Sequence, residues 1–285
     1  MTFQRIGVIG CGLMGSGIAE VCAASGARVT VVEMSPDACE AGRARIEKST
    51  ARAEAGGKQP EGYGAGVLGR VELTTSFDAL ADCELVIEAA TENEAAKLEI
   101  FAKLDAVVTS PDAIIASNTS SIPVTRLAMA TSRPDHVIGM HFFNPVPVLK
   151  LVELVVSLRT SEATVTRAET FATEQLGKVV IRAQDRSGFV VNALLVPFIL
   201  SAIRMFEAGF ASAEDIDKGM VFGCAHPIGP LALADLIGLD TAKAVAESLY
   251  EEFKEPTYAA PPLLARMVEA GLLGRKSGRG FYEYS

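Results

Sequence analysis

The chain has 285 residues, 49% of them hydrophobic and 21% charged, enough apolar material for a sizeable core and too much for a disordered chain. A formal net charge of −9 argues against general nucleic-acid binding, which needs a basic face to displace counterions. Five scattered cysteines without a Cys-x-x-Cys pair argue against a disulfide framework or a zinc site and fit a reduced, cytoplasmic protein.

The opening residues lead straight into a strand, so no signal or transit peptide is expected. Arg5 to Ile9 reads as a fully buried strand, followed at once by Gly10-Cys11-Gly12-Leu13-Met14-Gly15. Ile18, Val21 and Cys22 then recur at helical spacing up to Gly26, and a second strand, Arg28 to Val32, ends in Glu33. Strand, Gly-x-Gly-x-x-Gly, helix, strand and acid make the dinucleotide fingerprint. Gly10 allows the tight turn, Gly12 lets backbone approach a pyrophosphate, and Gly15 lets helix and strand pack closely. Leu13 and Met14 open the helix whose amides would face the anion. Glu33 lies roughly 20 residues on, where a carboxylate would bind the adenosine ribose. It would repel a 2′-phosphate, and Met34-Ser35-Pro36 supplies no arginine, so NAD is favoured over NADP. The fingerprint alone leaves a flavin dinucleotide open.

Ser35-Pro36 predicts a helix start, with the helix running to Gly56-Gly57-Lys58. Gly62, Gly64 and Gly66 predict a loose loop at the tip of a helical hairpin, from which Ser49 and Lys58 could reach a ligand, although solvated surface is the plainer expectation. Strands are expected at Val71 to Thr74, Leu85 to Ala89 and Ala113 to Ala116. The second leads into Ala90-Thr91-Glu92 and a helix carrying Lys97; the third ends in Ser117-Asn118-Thr119-Ser120-Ser121. Ligands in open α/β sheets sit beyond such carboxyl ends, although capping of the next helix by Ser120 or Ser121 is the plainer expectation.

His141 closes the apolar run from His136, Asn144-Pro145 breaks it, and Glu153 stands near the start of the next run, Leu151 to Val156. Two strands joined by a short turn would bring imidazole and carboxylate together, fixing the tautomer and favouring the imidazolium of a proton acceptor. A helix near Thr164 to Leu176 and a strand at Val179 to Arg182 follow. Alternation of strand and helix predicts a mostly parallel sheet.

From Phe189 to Ala270 the periodicity is helical, and a glycine-rich basic loop runs from Leu273 to Tyr282. The most apolar run, Phe189 to Ile203, contains Asn192, Pro197 and Ser201 and is too short to span a bilayer, so no membrane association is expected. The expected fold is therefore α/β: a Rossmann-type dinucleotide-binding domain over 1–185 and an all-α domain over 186–285 that pairs in a homodimer. His136 and His226 lack metal-ligand company, so no metal site is expected. The cysteines read as packing residues, with Cys11 in the glycine loop as an oxidation-sensitive candidate.

These segments together resemble the short-chain L-3-hydroxyacyl-CoA dehydrogenase family over nearly the whole chain. The likeness is carried by Gly-Cys-Gly-Leu-Met-Gly-Ser-Gly-Ile-Ala at 10–19, Ile-Glu-Ala-Ala-Thr-Glu-Asn at 87–93, Ser-Asn-Thr-Ser-Ser at 117–121 and His-Phe-Phe-Asn-Pro-Val-Pro at 141–147. Ser-Gly-Phe-Val-Val-Asn at 187–192 and Gly-Arg-Lys-Ser-Gly-Arg-Gly-Phe-Tyr at 274–282 extend it to the end of the chain. The resemblance implies NAD as cofactor, an acyl-CoA thioester such as 3-hydroxybutyryl-CoA or acetoacetyl-CoA as substrate, a cleft between domains, a dimerising helical domain and a place in fatty-acid metabolism. By motif match, His141 would be the acid–base residue and Glu153 its orienting partner. Ser120 would contact nicotinamide and substrate, Asn192 would bind near the reacting carbon, and Asn144 would bind near the nicotinamide. Glu92, Lys97 and Lys276 would contact NAD, and Ser49 coenzyme A. The family's nearby lysine has no clean counterpart other than Lys58. The alternatives are a dehydrogenase of a free hydroxy or sugar acid on the same fold, and a catalytically silent, crystallin-like nucleotide-binding protein.

Overall fold

In the computed structural model, which describes residues 2–284, the chain divides between Arg186 and Ser187 into two compact units. The apolar runs of the first become the strands of one sheet. These are β1 (Arg5–Ile9), β2 (Arg28–Val32), β3 (Val71–Thr74), β4 (Leu85–Glu88), β5 (Ile114–Ser117), β6 (Val137–Phe142), β7 (Leu151–Val156) and β8 (Val179–Gln184). Their order is β3-β2-β1-β4-β5-β6-β7-β8, parallel throughout except for β6 against β7. β4, β5 and β6 are buried at every residue, which is why they read as unbroken apolar runs rather than alternating ones. The winding reverses between β1 and β4, and at such a switch point the loops beyond the carboxyl ends part to form a crevice.

Six helices cover the sheet: α1 (Leu13–Ala24), α2 (Pro36–Ala55), α3 (Tyr63–Leu68), α4 (Glu94–Val107), α5 (Val124–Ala128) and α6 (Glu162–Thr170). The Ser35 hydroxyl accepts from the Ala38 N–H at 3.2 Å with Pro36 at the first helical position, so α2 begins where its sequence predicts. Asn93 caps α4 in the same way. Ile6, Ile18, Ile46, Leu85, Ile87, Ile114 and Phe171 are fully buried in the core between sheet and helices.

Three local expectations are corrected. The glycine-rich stretch after Lys58 is not a loose loop throughout but forms α3, because Gly64 seats directly on α2. A Cβ there would lie 2.9 Å from Thr50 Oγ1, and the neighbouring Tyr63 hydroxyl donates to Glu20 on α1 at 3.3 Å. Ser120 and Ser121 do not cap α5. Its first amides, on Val124 and Thr125, donate instead to the Asp185 carboxylate at 2.7 and 2.6 Å. The helix expected to reach Leu176 ends at Thr170 and widens into one π-helical turn, Phe171–Gln175.

The second unit consists of α7 (Val191–Glu207), α8 (Ala213–Cys224), α9 (Pro230–Ile237), α10 (Leu239–Phe253) and α11 (Pro262–Glu269). They pack around Ile199, Leu200, Ile203, Leu231, Leu239, Leu249 and Leu264. The terminal glycine-rich loop is fastened by two buried carboxylates. Asp235 accepts the Phe281 and Tyr282 amides, each at 3.0 Å, and Asp217 accepts the Tyr282 hydroxyl at 2.8 Å while capping α9 through Leu231 and Ala232. An α/β Rossmann-type unit followed by an all-α unit is thus the observed fold. No helix among the described residues is long and apolar enough to cross a membrane.

Candidate active site

Parallel pairing sets Ile9, Glu88, Ser117 and Gly139 side by side, so the segments leaving β1, β4, β5 and β6 share one edge of the sheet. At β1 the chain turns through Gly10, whose φ of +87° is a left-handed conformation that favours glycine. A Cβ on Gly10 would also come within 2.9 Å of the Ala89 carbonyl, so the approach of the β4 end requires glycine a second time. Gly12, at the start of α1, has no neighbour within 4 Å of where a Cβ would stand, and no side chain caps the helix. Open space above uncapped amides, with Leu13 exposed beside them, suits a pyrophosphate held by backbone and helix dipole. Glu33, at the end of β2, accepts the Cys11 N–H at 2.5 Å and the Met34 N–H at 3.1 Å, which holds its carboxylate at the mouth of the glycine turn. These residues fit a dinucleotide.

Beyond β4 and β5 lies a charged network. Glu88 is fully buried; its carboxylate accepts from Lys97 Nζ at 2.6 and 2.7 Å, from Ser117 Oγ at 2.6 Å and from the Ala90 N–H at 2.8 Å. Lys97, reaching back from α4, also stands 3.5 Å from Glu92 Oε2. Glu92 Oε1 gathers Thr119 Oγ1 at 2.6 Å, the amides of Ser120 and Ser121 at 2.9 and 3.1 Å, and Ser121 Oγ at 3.0 Å. Burial alone would raise the Glu92 pKa, but Lys97 and these donors outweigh it and hold the group below the ordinary carboxylate range.

At the end of β6, antiparallel pairing sets His141 directly opposite Glu153 on β7. Nδ1 of the imidazole stands 2.7 Å from Glu153 Oε2, with Glu153 fully buried and His141 nearly so. A carboxylate accepts, so Nδ1 carries the hydrogen and the exchange of a proton falls to Nε2. The Phe143 ring packs on the imidazole, its centroid 4.6 Å away. Asn118 Oδ1 accepts the Phe142 N–H at 2.9 Å, joining the β5 rim to this strand. Asn144, exposed, follows in a turn whose Asn144–Pro145 bond is cis. The far side of the turn is held by Lys178, which donates to the Val146 and Leu149 carbonyls at 2.6 and 2.7 Å.

The glycine turn, Glu33, Glu92, Lys97, Ser120, His141, Asn144 and Glu153 therefore lie on or beside one sheet rim. Ser49, half-buried on α2, points its hydroxyl to Glu20, and Lys58 is exposed past the end of that helix. In the helical unit, Asn192 lies in the first turn of α7 and Lys276 pairs with Asp240 at 2.5 Å. Cys11 is corrected as an oxidation candidate: it is fully buried, and burial, reinforced by Glu33, pushes its thiol up to about 12. Glu88 and Lys178 carried no expected role, and within the expected polar run 117–121 it is Ser117, Asn118 and Thr119, not only Ser120, that bond Glu88, the Phe142 amide and Glu92. The one sequence signal for Glu88 is an acid at the end of an otherwise apolar run, nine residues before Lys97.

A glycine turn with its terminal acid, and a histidine–carboxylate pair on the same edge, define a dinucleotide-binding oxidoreductase. Family comparison agrees: residues 5–186 match the model of the 3-hydroxyacyl-CoA dehydrogenase NAD binding domain, and residues 188–284 match that of the 3-hydroxyacyl-CoA dehydrogenase C-terminal domain. The chain is 61% identical over 281 residues to a 3-hydroxybutyryl-CoA dehydrogenase of Mycobacterium tuberculosis, covering 99% of this chain and 98% of that one. It is 40% identical to the mitochondrial hydroxyacyl-coenzyme A dehydrogenase of Homo sapiens, over 99% of this chain and 91% of that one. Among solved structures, M. tuberculosis FadB2 superposes with a TM-score of 0.99 at 60% identity, covering 100% of both chains. The (S)-3-hydroxybutyryl-CoA dehydrogenase of Ralstonia eutropha gives 0.93 at 49% identity, covering 99% of both. The chain belongs to the 3-hydroxyacyl-CoA dehydrogenase family and is an NAD-dependent oxidoreductase.

Proposed function

We propose that the chain interconverts (S)-3-hydroxybutyryl-CoA and acetoacetyl-CoA, with His141 and Glu153 as its proton-transfer pair. The observation that carries this is the 2.7 Å contact from His141 Nδ1 to a fully buried Glu153 on the rim that also carries the glycine turn. NAD, when bound, would supply the acceptor and donor of hydride. Gly10, Gly12, Leu13, Met14 and Gly15 would hold its pyrophosphate and Glu33 its ribose, while Glu92, Lys97, Asn144 and Lys276 would be further contacts. In the oxidative direction the hydroxyl proton passes to His141 Nε2, and Glu153 stabilises the imidazolium that forms. In reduction the same imidazolium protonates the new alkoxide. Ser120 and Asn192, neutral hydrogen-bonding groups, position the hydroxyl without competing for its proton. Ser49 and Lys58 contact the CoA portion, whose binding energy orients the reacting carbon. The protein acts in the cytoplasm as a homodimer formed through its helical unit, on which Leu194, Phe210 and Phe222 stand largely exposed.

The test is acetoacetyl-CoA-dependent oxidation of NADH. His141→Gln is expected to lower kcat on the order of 10²–10⁴-fold while leaving NADH binding nearly intact; near-normal turnover would refute the role. In Glu153→Gln the pH–rate profile should move as the imidazolium loses its charge partner, and an unmoved profile would make Glu153 merely structural. Activity on L-gulonate with none on acetoacetyl-CoA would instead assign a free hydroxy acid as substrate.

A further inference from the structure

We infer that Glu88 is a positioning residue for Ser120, acting through Lys97 and Glu92; this rests on the reading of Ser120 as the group that meets nicotinamide and substrate. The chain of contacts is continuous and lies within one unit. Glu88 holds the Lys97 ammonium with both carboxylate oxygens, at 2.6 and 2.7 Å, and is itself fixed by Ser117 Oγ and the Ala90 N–H. The same ammonium lies 3.5 Å from Glu92 Oε2, and Glu92 Oε1 takes the backbone N–H groups of Ser120 and Ser121.

Two physical points assign this network a task. The segment from Asn118 to Pro123 belongs to no strand or helix; the Asn118 amide still reaches the Glu88 carbonyl, and the Thr119 and Ile122 amides reach the Ser117 and Thr119 hydroxyls, while the Glu92 carboxylate takes those of Ser120 and Ser121. Stability does not account for the buried ion pair, because apolar residues of similar volume at such sites are often neutral or stabilising. What the pair supplies is direction. With Glu88 in place, Lys97 is shared between two carboxylates; without that charge it swings toward Glu92 and shifts the carboxylate on which residues 119–121 hang. The same stretch of chain carries the Ser120 hydroxyl.

The experiment is a double-mutant cycle on the full chain, measuring kcat and the KM values for NADH and acetoacetyl-CoA in Glu88→Gln, Ser120→Ala and the combined variant. Glu88→Gln should lower kcat roughly 10- to 100-fold, the cost of a misplaced contact group, and also raise the KM for NADH, because Lys97 and Glu92 are cofactor contacts as well. On the Ser120→Ala background the same substitution should cost less than about twofold, because the group it positions is gone. Losses that multiply, with Ser120→Ala itself impaired, overturn the Glu88 assignment alone. Wild-type turnover by Ser120→Ala overturns the reading of Ser120 and this inference with it. Should Glu88→Gln fail to fold, Glu88→Asp takes its place: it keeps the charge and draws it back by one methylene from Lys97. Its severalfold loss of kcat should vanish on the Ser120→Ala background, and a loss that persists there overturns the inference.

Discussion

At the carboxyl rim of the sheet, Glu88 and Glu153 are fully buried and each meets an ammonium or imidazole nitrogen at hydrogen-bond distance. Glu20, just as deeply buried among α1, α2 and α3, meets only the hydroxyls of Tyr63 and Ser49, and its Oε2 has no partner among the described residues. Burial therefore raises the Glu20 pKa against the pull of those two hydroxyls. The contrast separates two uses of a buried acid. A carboxylate opposite a nitrogen donor fixes the direction of the groups around it, as at Ser120 and His141. One met only by hydroxyls holds its proton more firmly than in the unfolded chain, so the folded state loses stability as pH rises past the unfolded carboxylate's pKa.

Removing the cation at the rim should have the largest effect on stability. Lys97→Met leaves Glu88 buried without its counter-charge, and urea unfolding should show a loss on the order of 3–5 kcal/mol. The same variant tests the rim's acid response. Glu92 has a depressed pKa in the folded chain, so it contributes stability above the pKa of the unfolded chain and loses it as pH falls through the folded value. Wild type should therefore weaken in acid, and Lys97→Met should show a shallower decline. An equal slope would mean that Lys97 does not hold Glu92.

Glu20 should respond with the opposite sign. Its folded pKa is raised, so the unfolded chain releases this proton first as pH climbs, and stability falls between the unfolded and folded values. Glu20→Gln removes that penalty. It should gain on the order of 1–2 kcal/mol near neutral pH, with the gain vanishing below the ordinary carboxylate range. Melting temperatures of both proteins across that range are the measurement, and a gain that persists in acid would show a packing effect instead. A helix cap in the helical unit sets the lower end of the scale. The Ser212 hydroxyl accepts the Asp215 N–H at 3.1 Å and donates to Asp215 Oδ2 at 2.6 Å, and Ser212→Ala should cost about 0.5–1 kcal/mol near neutral pH while leaving NADH binding unchanged.

Both regions also mark how far the residues could be read in order. Strand, glycine turn, helix and Glu33 were legible because each is specified by neighbours within a few residues, and the cap Ser35 was legible for the same reason. His141 and Glu153 could be paired in advance because one short turn between two strands forces them to face each other. The network at Glu88 was not legible. Lys97 reads as one polar position on an ordinary helix until α4 folds back over the end of β4. Glycine composition misled at α3, where the missing side chains serve close packing on α2 rather than a flexible loop.

The linear order of residues determined the cofactor turn, the paired imidazole and carboxylate, and the change from an alternating to a helical texture. These depend on dihedral preferences and on apolar periods that act over short spans. Tertiary structure alone decided where the remaining polar groups found partners. Asp185 caps a helix 60 positions earlier in the chain, Asp235 and Asp217 fasten the closing loop, and Glu20 is left with an unanswered oxygen. A buried polar group must take whatever donor packing brings within about 3 Å, and sequence distance places no limit on which one that is.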